Sequence, residues 1–123
     1  LVRRLCEYSK IKDGPTAEEF KKIESLAGSF PKKIKKPPLK DAAVWRPKGC
    51  PECNGTGYKG RVGIFEGLLI DDEVEFLILK NPPEAELKKI AEKQNMLTME
   101  QDGILKVLEG TTSLEELERV VGV

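Results

Sequence analysis

The chain has 123 residues, of which 39% are hydrophobic and 34% are charged, and its formal net charge is zero. These values are typical of a soluble globular domain or of part of one. No apolar run is long enough to span a bilayer, and no segment resembles a signal peptide. The lack of histidine excludes His-dependent triads and relays, and no phosphate-binding loop of the G-x-x-x-x-G-K-S/T type occurs.

The first residue indicates whether the chain is a fragment, and the cysteines indicate its cellular compartment. It begins with Leu1 rather than with methionine, so we expect a fragment of a longer protein. Its three cysteines are unequally spaced, which argues against a secreted disulfide framework and for a reducing compartment. We therefore expect a cytoplasmic location.

Charge is unevenly divided along the chain. Residues 1–65 hold 15 Lys and Arg against 7 Asp and Glu, whereas residues 66–123 hold 6 against 14. Four lysines between positions 32 and 36 could contact nucleic acid or anionic lipid, but no aromatic residues interleave with them to stack on bases. Because prolines flank these lysines, we predict a solvated linker over Phe30–Lys40 and no nucleic-acid partner. The opposite charges could equally attract neighbouring copies of the domain.

The first half of the chain predicts strands around a helix. Leu1–Cys6 and Arg61–Ile70 are short aliphatic segments that predict strands, and we expect them to pair antiparallel. Between them, Thr16 and Glu19 form a capping box that begins a helix, which the apolar spacing extends over Ala17–Ala27.

The second half predicts four short helices. They begin near Asp71, Pro83, Met99 and Ser113, where capping residues or proline precede apolar residues at helical spacing. For the last helix, Glu115 or Glu116 should complete a capping box. The fold class is therefore α+β: an antiparallel strand pair with an inserted cysteine knuckle and helix, followed by four helices. We expect the helices to cover the strand pair with one residue of each pointing inward, namely Leu77, Ile90, Leu105 and Leu117.

The cysteines carry the strongest chemical signal. Cys50 and Cys53 form a C-x-x-C pair, a spacing that lets two thiolates reach one metal ion. Gly55 and Gly57 follow, where a positive φ or a close approach of the backbone to sulfur is expected. Cys6 begins a second segment of the same spacing, whose last position is Ser9 rather than cysteine.

These residues predict an incomplete zinc site. Its candidate ligands are Cys6, Cys50 and Cys53. The fourth position would fall to water or to one of the nearby oxygen donors, which are Ser9, Glu7 and Asp13. Because a neutral hydroxyl is a poor zinc ligand beside thiolates, we expect zinc to be weakly bound or missing.

Two other functions remain open for the C-x-x-C pair. A thiol oxidoreductase would place the pair at a strand-to-helix junction, whereas here it runs into glycines. A zinc module of the J-type chaperones repeats the C-x-x-C-x-G-x-G motif several times, whereas this chain has it once.

Four segments carry a family resemblance. Cys50–Glu66, CPECNGTGYKGRVGIFE, resembles the second half of the tetracysteine region of the type II secretion and type IV pilus assembly ATPases. Leu1–Cys6 resembles the strand that leads into the first cysteine pair of that region. Asn95–Ile104 and Leu108–Glu116 resemble the closing helices of the family. Ser9 departs from the tetracysteine pattern.

The resemblance implies the C-terminal part of a homohexameric motor. Residues 1–6 and 61–70 would join the motor core, residues 7–60 would form the cysteine knuckle, and residues 71–123 would form a helical subdomain. The parent chain would bind ATP and Mg²⁺, whereas this fragment lacks the nucleotide-binding motifs and should be inactive. The implied partners are neighbouring subunits and an inner-membrane platform protein, at the cytoplasmic face of the inner membrane.

Overall fold

A computed structural model describes residues 1–28, 30–31 and 41–122 of the chain. Within these residues the fold is α+β, as the sequence predicts. The elements in chain order are β1 (Val2–Leu5), β2 (Ile11–Asp13), α1 (Ala17–Gly28), β3 (Val44–Arg46), a short 3₁₀ helix (Pro51–Cys53), β4 (Tyr58–Val62), α2 (Asp72–Leu79), α3 (Glu84–Lys93), α4 (Met99–Leu108) and α5 (Leu114–Val121). The lysine cluster and most of the predicted linker, residues 32–40, lie outside the described residues. No helix of the described part is long and apolar enough to cross a membrane.

The predicted pairing of the first strand with the strand after the cysteines is confirmed. β1 runs antiparallel to β4, with Val2 opposite Val62 and Leu5 opposite Tyr58, and the register shifts after Arg3. The knuckle and α1 lie between the paired strands in sequence, as expected. This pairing therefore brings together the two ends of the segment that contains the knuckle and α1.

The extent of the second strand was predicted wrongly. We expected a strand over Arg61–Ile70, but β4 ends at Val62 and residues 63–70 belong to no strand. Side chains take the place of a strand partner here. The carboxylate of Asp102 accepts the N–H of Phe65 at 2.9 Å, and the amide of Gln94 bonds both the N–H and the C=O of Leu69, at 2.9 and 2.8 Å. A strand pattern alone does not show which groups supply the hydrogen bonds.

A second antiparallel pair, β2 with β3, was not predicted as a sheet. Its three-residue strands are too short to give a clear alternation, although Val44–Arg46 was expected to be extended. Arg46 bonds Asp13 across the pair and Glu19 on α1, each at 2.8 Å. Glu19 also completes the predicted capping box with Thr16, which is therefore confirmed. The small sheet is thus tied to the start of α1.

The core lies between β1, α1, β3 and the last two helices. The segment after β4 adds Ile64. Gly103 on α4 allows a close approach of α5, because a Cβ at this position would lie 2.2 Å from a methyl carbon of Leu117. Close packing of this kind fixes the distance between two helices. The buried cluster comprises Val2, Ile23, Ala27, Val44, Ile64, Ile104, Val107, Leu114 and Leu117.

The expectation that all four later helices cover the strand pair is wrong for α2 and α3. Neither helix contributes to the buried cluster, and the two pack against each other. Ile90 is buried as predicted, but Leu77 is only partly buried. Leu117 is buried and Leu105 partly buried, on the helices that do reach the core. Helical spacing identified an apolar face in each helix without identifying what that face contacts.

The loop before α5 attaches that helix to β1. The C=O of Thr111 accepts the N–H of Leu5, and the hydroxyl of Thr112 donates to the C=O of Arg3, both at 2.8 Å. These bonds use the side of β1 that does not face β4. The C-terminal helix is therefore held to the first strand by backbone contacts as well as by packing.

Glu116 forms a buried ion cluster with two arginines. Its carboxylate accepts from the guanidiniums of Arg119 at 2.6 Å and Arg3 at 2.7 Å, and also from the backbone N–H of Arg3 at 3.1 Å. The bond from Arg119 lowers the pKa of Glu116, and the bonds from Arg3 lower it further. Burial acts in the opposite direction, but the net effect is a pKa of about 2. The predicted capping box is only half formed: Ser113 accepts the N–H of Glu116, but the carboxylate bonds the arginines instead.

We expect Glu116→Gln to destabilise the chain by on the order of 2–3 kcal/mol at neutral pH, because it removes a buried charge from two guanidinium partners that remain about half exposed. A carboxyl with a lowered folded-state pKa stabilises the fold above its ordinary pKa of 4.5 and loses that effect as the pH falls towards 2. Urea unfolding at pH 7 and at low pH measures this difference.

The matched control is Glu115→Gln, which changes an exposed neighbouring carboxylate and should shift the free energy of unfolding by about 0.5 kcal/mol or less. The stabilities of the wild-type chain and Glu116→Gln should approach each other as the pH falls from about 4.5 and converge near pH 2. A difference that persists unchanged at low pH would contradict the role of the ionised carboxylate.

Candidate metal centre

Two turns of the same kind bring the three cysteines together. Cys6 follows β1, and its N–H donates to the C=O of Gly57 at 2.9 Å, so the pairing of β1 with β4 continues to the first cysteine. The C=O of Cys6 then accepts the N–H of Ser9 at 3.2 Å, and the C=O of Cys50 accepts the N–H of Cys53 at 3.3 Å. The C-x-x-S and C-x-x-C segments therefore form similar turns that face each other.

The sulfur atoms have the separation that a tetrahedral metal site requires. The Sγ of Cys50 lies 3.7 Å from the Sγ of Cys6 and 3.7 Å from the Sγ of Cys53. All three sulfurs lie within 4.8 Å of one another. Zn–S bonds of about 2.3 Å in tetrahedral geometry separate neighbouring sulfurs by about 3.8 Å. Two of the three sulfur separations thus match those of a tetrahedral site.

Ser9 lies nearest to the position of a fourth ligand. Its Oγ is 3.8 Å from the Sγ of Cys53, as expected from the shared spacing of the two turns. Within the described residues, neither of the carboxylates considered for this position joins the sulfur cluster. Glu7 bonds Lys10, and Asp13 bonds Arg46 instead. The alternatives among the protein's side chains therefore reduce to the hydroxyl of Ser9.

Backbone N–H groups favour the thiolate form of Cys53. Burial opposes ionisation of this side chain, but the N–H groups of Cys50 at 3.3 Å and Gly57 at 3.2 Å point at its sulfur, and the net effect lowers its pKa to about 6. Thiolate is the form that binds metal ions. The sequence predicted a close approach to sulfur at the glycines, which Gly57 makes, but it did not identify the N–H of Cys50 as a second donor.

Gly57 has the conformation that its position in the motif predicts. Its φ is +81°, and Gly55 also has a positive φ of +75°. A Cβ on Gly57 would lie 2.4 Å from the Cβ of Pro47, so no other residue fits this position without a shift of the chain. The glycine therefore lets the backbone pass closely enough for its N–H to reach the sulfur of Cys53.

The surroundings of the C-x-x-C pair differ from those of an oxidoreductase. The 3₁₀ helix over Pro51–Cys53 leads through a turn at Asn54 into β4, and no α-helix begins at the pair. A helix N-terminus at the cysteines is the feature by which thioredoxin-like sites lower a thiol pKa. In this chain the N–H groups of a tight turn act on the sulfur instead.

Comparison with known proteins shows which family the chain is similar to. The family described as "Type II/IV secretion system protein" matches residues 1–119. The type IV pilus assembly ATPase PilB of Thermus thermophilus is 36% identical over 95% of this chain and 12% of its own length. Type II secretion system protein E of Klebsiella pneumoniae is 36% identical over 98% of the chain and 21% of its length. The type II secretion system ATPase E of Vibrio cholerae is 38% identical over 98% of the chain and 22% of its own length.

The chain thus spans at most about a fifth of the length of these relatives. The match runs through the cysteine turns, β4 and the closing helices, which are the segments that carry the resemblance in the sequence. We conclude that the chain belongs to the type II/IV secretion system protein family.

Proposed function

We propose that these residues form the C-terminal, non-nucleotide-binding part of a hexameric ATPase motor that powers type IV pilus assembly or type II protein secretion. The observation that carries the proposal is the family match over residues 1–119, with relatives named for both processes. The motor would act at the cytoplasmic face of the inner membrane, on a platform protein of the pilus or secretion machine. The fragment itself would have a structural and interaction role.

An exposed apolar surface supports attachment to a larger body. Phe65 and Leu69 are 75% and 70% exposed in the segment after β4, and Phe76 and Leu79 are 62% and 80% exposed on α2. Large contiguous apolar patches on soluble proteins usually mark an interface. We propose that these side chains together form one surface, the 65–79 surface, which packs against the motor core of the parent chain.

We propose further that Cys6, Cys50 and Cys53 hold a zinc ion as a structural centre. Their sulfur separations fit tetrahedral coordination, and thiolates favour zinc over the oxygen-preferring ions. With the hydroxyl of Ser9 in place of a fourth thiolate, the affinity should be well below that of a complete site. Pairing of β1 with β4 holds the two turns together independently of the metal, so its loss need not unfold the chain.

The proposed motor role predicts that this chain can replace its counterpart in a relative. We replace the aligned segment of PilB from Thermus thermophilus with this chain. We expect the resulting chimera to form a hexamer that hydrolyses ATP. Chromatography with light scattering and an ATPase assay measure these properties. A second chimera with Phe65→Ser and Leu69→Ser should lose both, because the 65–79 surface would no longer pack on the core.

The matched control for this experiment is Tyr8→Ser, which removes an equally exposed aromatic side chain outside the 65–79 surface and should change neither property. A folded chimera that remains monomeric and inactive would contradict the proposed function.

Zinc affinity should rise when the fourth thiolate is restored. We expect Ser9→Cys to tighten binding by at least about 100-fold, since even the loss of an outer-shell partner costs 10- to 100-fold. Competition with a chromophoric chelator measures the affinity. Ser25→Cys adds a thiol at an exposed position of α1 and should leave it unchanged. Equal affinities of the wild-type chain and Ser9→Cys would show that Ser9 does not lie at the fourth position.

The chain by itself should bind no nucleotide, because its sequence contains no phosphate-binding loop. Calorimetric titration with ATP and Mg²⁺ should give no heat of binding, whereas the PilB chimera should bind. Micromolar binding of ATP to the chain alone would refute the proposal that these residues bind no nucleotide.

A further inference from the structure

Beyond the motor role, and independently of it, the cysteine cluster has the geometry of an oxidation site. We propose that Cys50 and Cys53 form a reversible disulfide when the cluster holds no metal, and that a peroxide oxidises Cys50 first. All three cysteines are free thiols in this structure. Since the disulfide would consume two of the three candidate metal ligands, oxidation and metal binding exclude each other.

The turn already holds the two cysteines close enough to be joined. Their sulfurs lie 3.7 Å apart, and the N–H of Cys53 bonds the C=O of Cys50 in a four-residue turn. Such a turn keeps its first and last Cα atoms less than about 7 Å apart, which overlaps the 4.4–6.8 Å range found in disulfides. Rotation of the side chains is then sufficient to form the bond.

Exposure determines which sulfur meets the oxidant. Cys6 and Cys53 are buried, with 0% and 4% of their surface exposed, whereas Cys50 is partly exposed. A peroxide in solution reaches an accessible sulfur before a buried one, and a neighbouring cysteine can then resolve the sulfenic acid. Cys50 is therefore the point of entry, and a buried neighbour completes the reaction.

The reaction has two steps. The sulfur of Cys50 attacks the O–O bond of hydrogen peroxide and loses its proton, which gives a sulfenic acid and releases the other oxygen as water. The sulfur of Cys53 then attacks the sulfur of Cys50, the S–S bond forms, and the S–O bond breaks with loss of a second water. Two electrons from the two thiols thus reduce one peroxide, and a dithiol reductant reverses the change.

Cys53, rather than Cys6, is the resolving residue. Cys6 is equally close to Cys50, but it lies on the other turn, so a bond between them would cross-link two turns instead of closing one. Cys50 and Cys53 belong to one turn, and the N–H groups of Cys50 and Gly57 already orient the sulfur of Cys53. Closure within the turn leaves Cys6 as the remaining thiol.

The test is oxidation of the reduced, metal-free chain with hydrogen peroxide, followed by alkylation, mass spectrometry and peptide mapping. We expect a loss of two hydrogen masses, a link between Cys50 and Cys53, an alkyl group on Cys6, and full reversal by dithiothreitol. Saturation with zinc beforehand should prevent the loss. A link between Cys6 and Cys50 as the main product, or sulfinic acid at Cys50 without a disulfide, would overturn the proposal.

Two variants separate this inference from the metal centre. Cys6→Ser should lose zinc binding but keep the loss of two hydrogen masses, because the oxidised turn does not include residue 6. Cys50→Ser should lose both, because it removes one metal ligand and one of the two sulfurs of the disulfide. If Cys6→Ser no longer forms the disulfide while remaining folded by circular dichroism, Cys53 is not the resolving residue and the proposal fails.

Discussion

Antiparallel pairing of β1 with β4 joins the start of the chain to residues 58–62. The hydrogen bond from Cys6 to Gly57 extends the pairing by one residue and sets the first cysteine beside the C-x-x-C turn. Strand pairing therefore brings the two cysteine turns side by side. The other side of β1 receives the loop before α5, so the same strand positions both the cysteine cluster and the C-terminal helix.

The two sites beside β1, the cysteine cluster and the Glu116 ion cluster, have different chemistry. At one end, backbone N–H groups, the hydroxyl of Ser9 and the thiol of Cys50 favour a thiolate at Cys53, which is the form that binds metal ions. Along the strand, Arg3 and Arg119 surround the buried carboxylate of Glu116, and breaking such a cluster leaves an uncompensated charge. The ion cluster gives the fold a stabilising contact that is independent of the cysteines. A chain built in this way can tolerate serine at a position where the family resemblance implies cysteine.

The helices α2 and α3 lie outside this arrangement. They contribute nothing to the buried cluster formed by the described residues, and the segment that leads to them is held by side chains of Gln94 and Asp102 rather than by a strand. Apolar side chains are correspondingly exposed at Phe65, Leu69 and Leu79. These are the side chains through which we propose attachment to the motor core.

Local chemistry was readable from the sequence: the capping box at Thr16, the four later helices, the turn glycines and the three candidate ligands all depend on residues close together in the chain. Pairing of β1 with β4 was also predicted, since both strands flank the cysteine turns. The tertiary structure alone decided that Glu116 bonds Arg3 rather than its own helix cap, and that β4 ends at Val62. It also decided which of the oxygen donors approaches the sulfurs. Hydrophobic and capping patterns act over a few residues, whereas these outcomes depend on partners brought together only by folding.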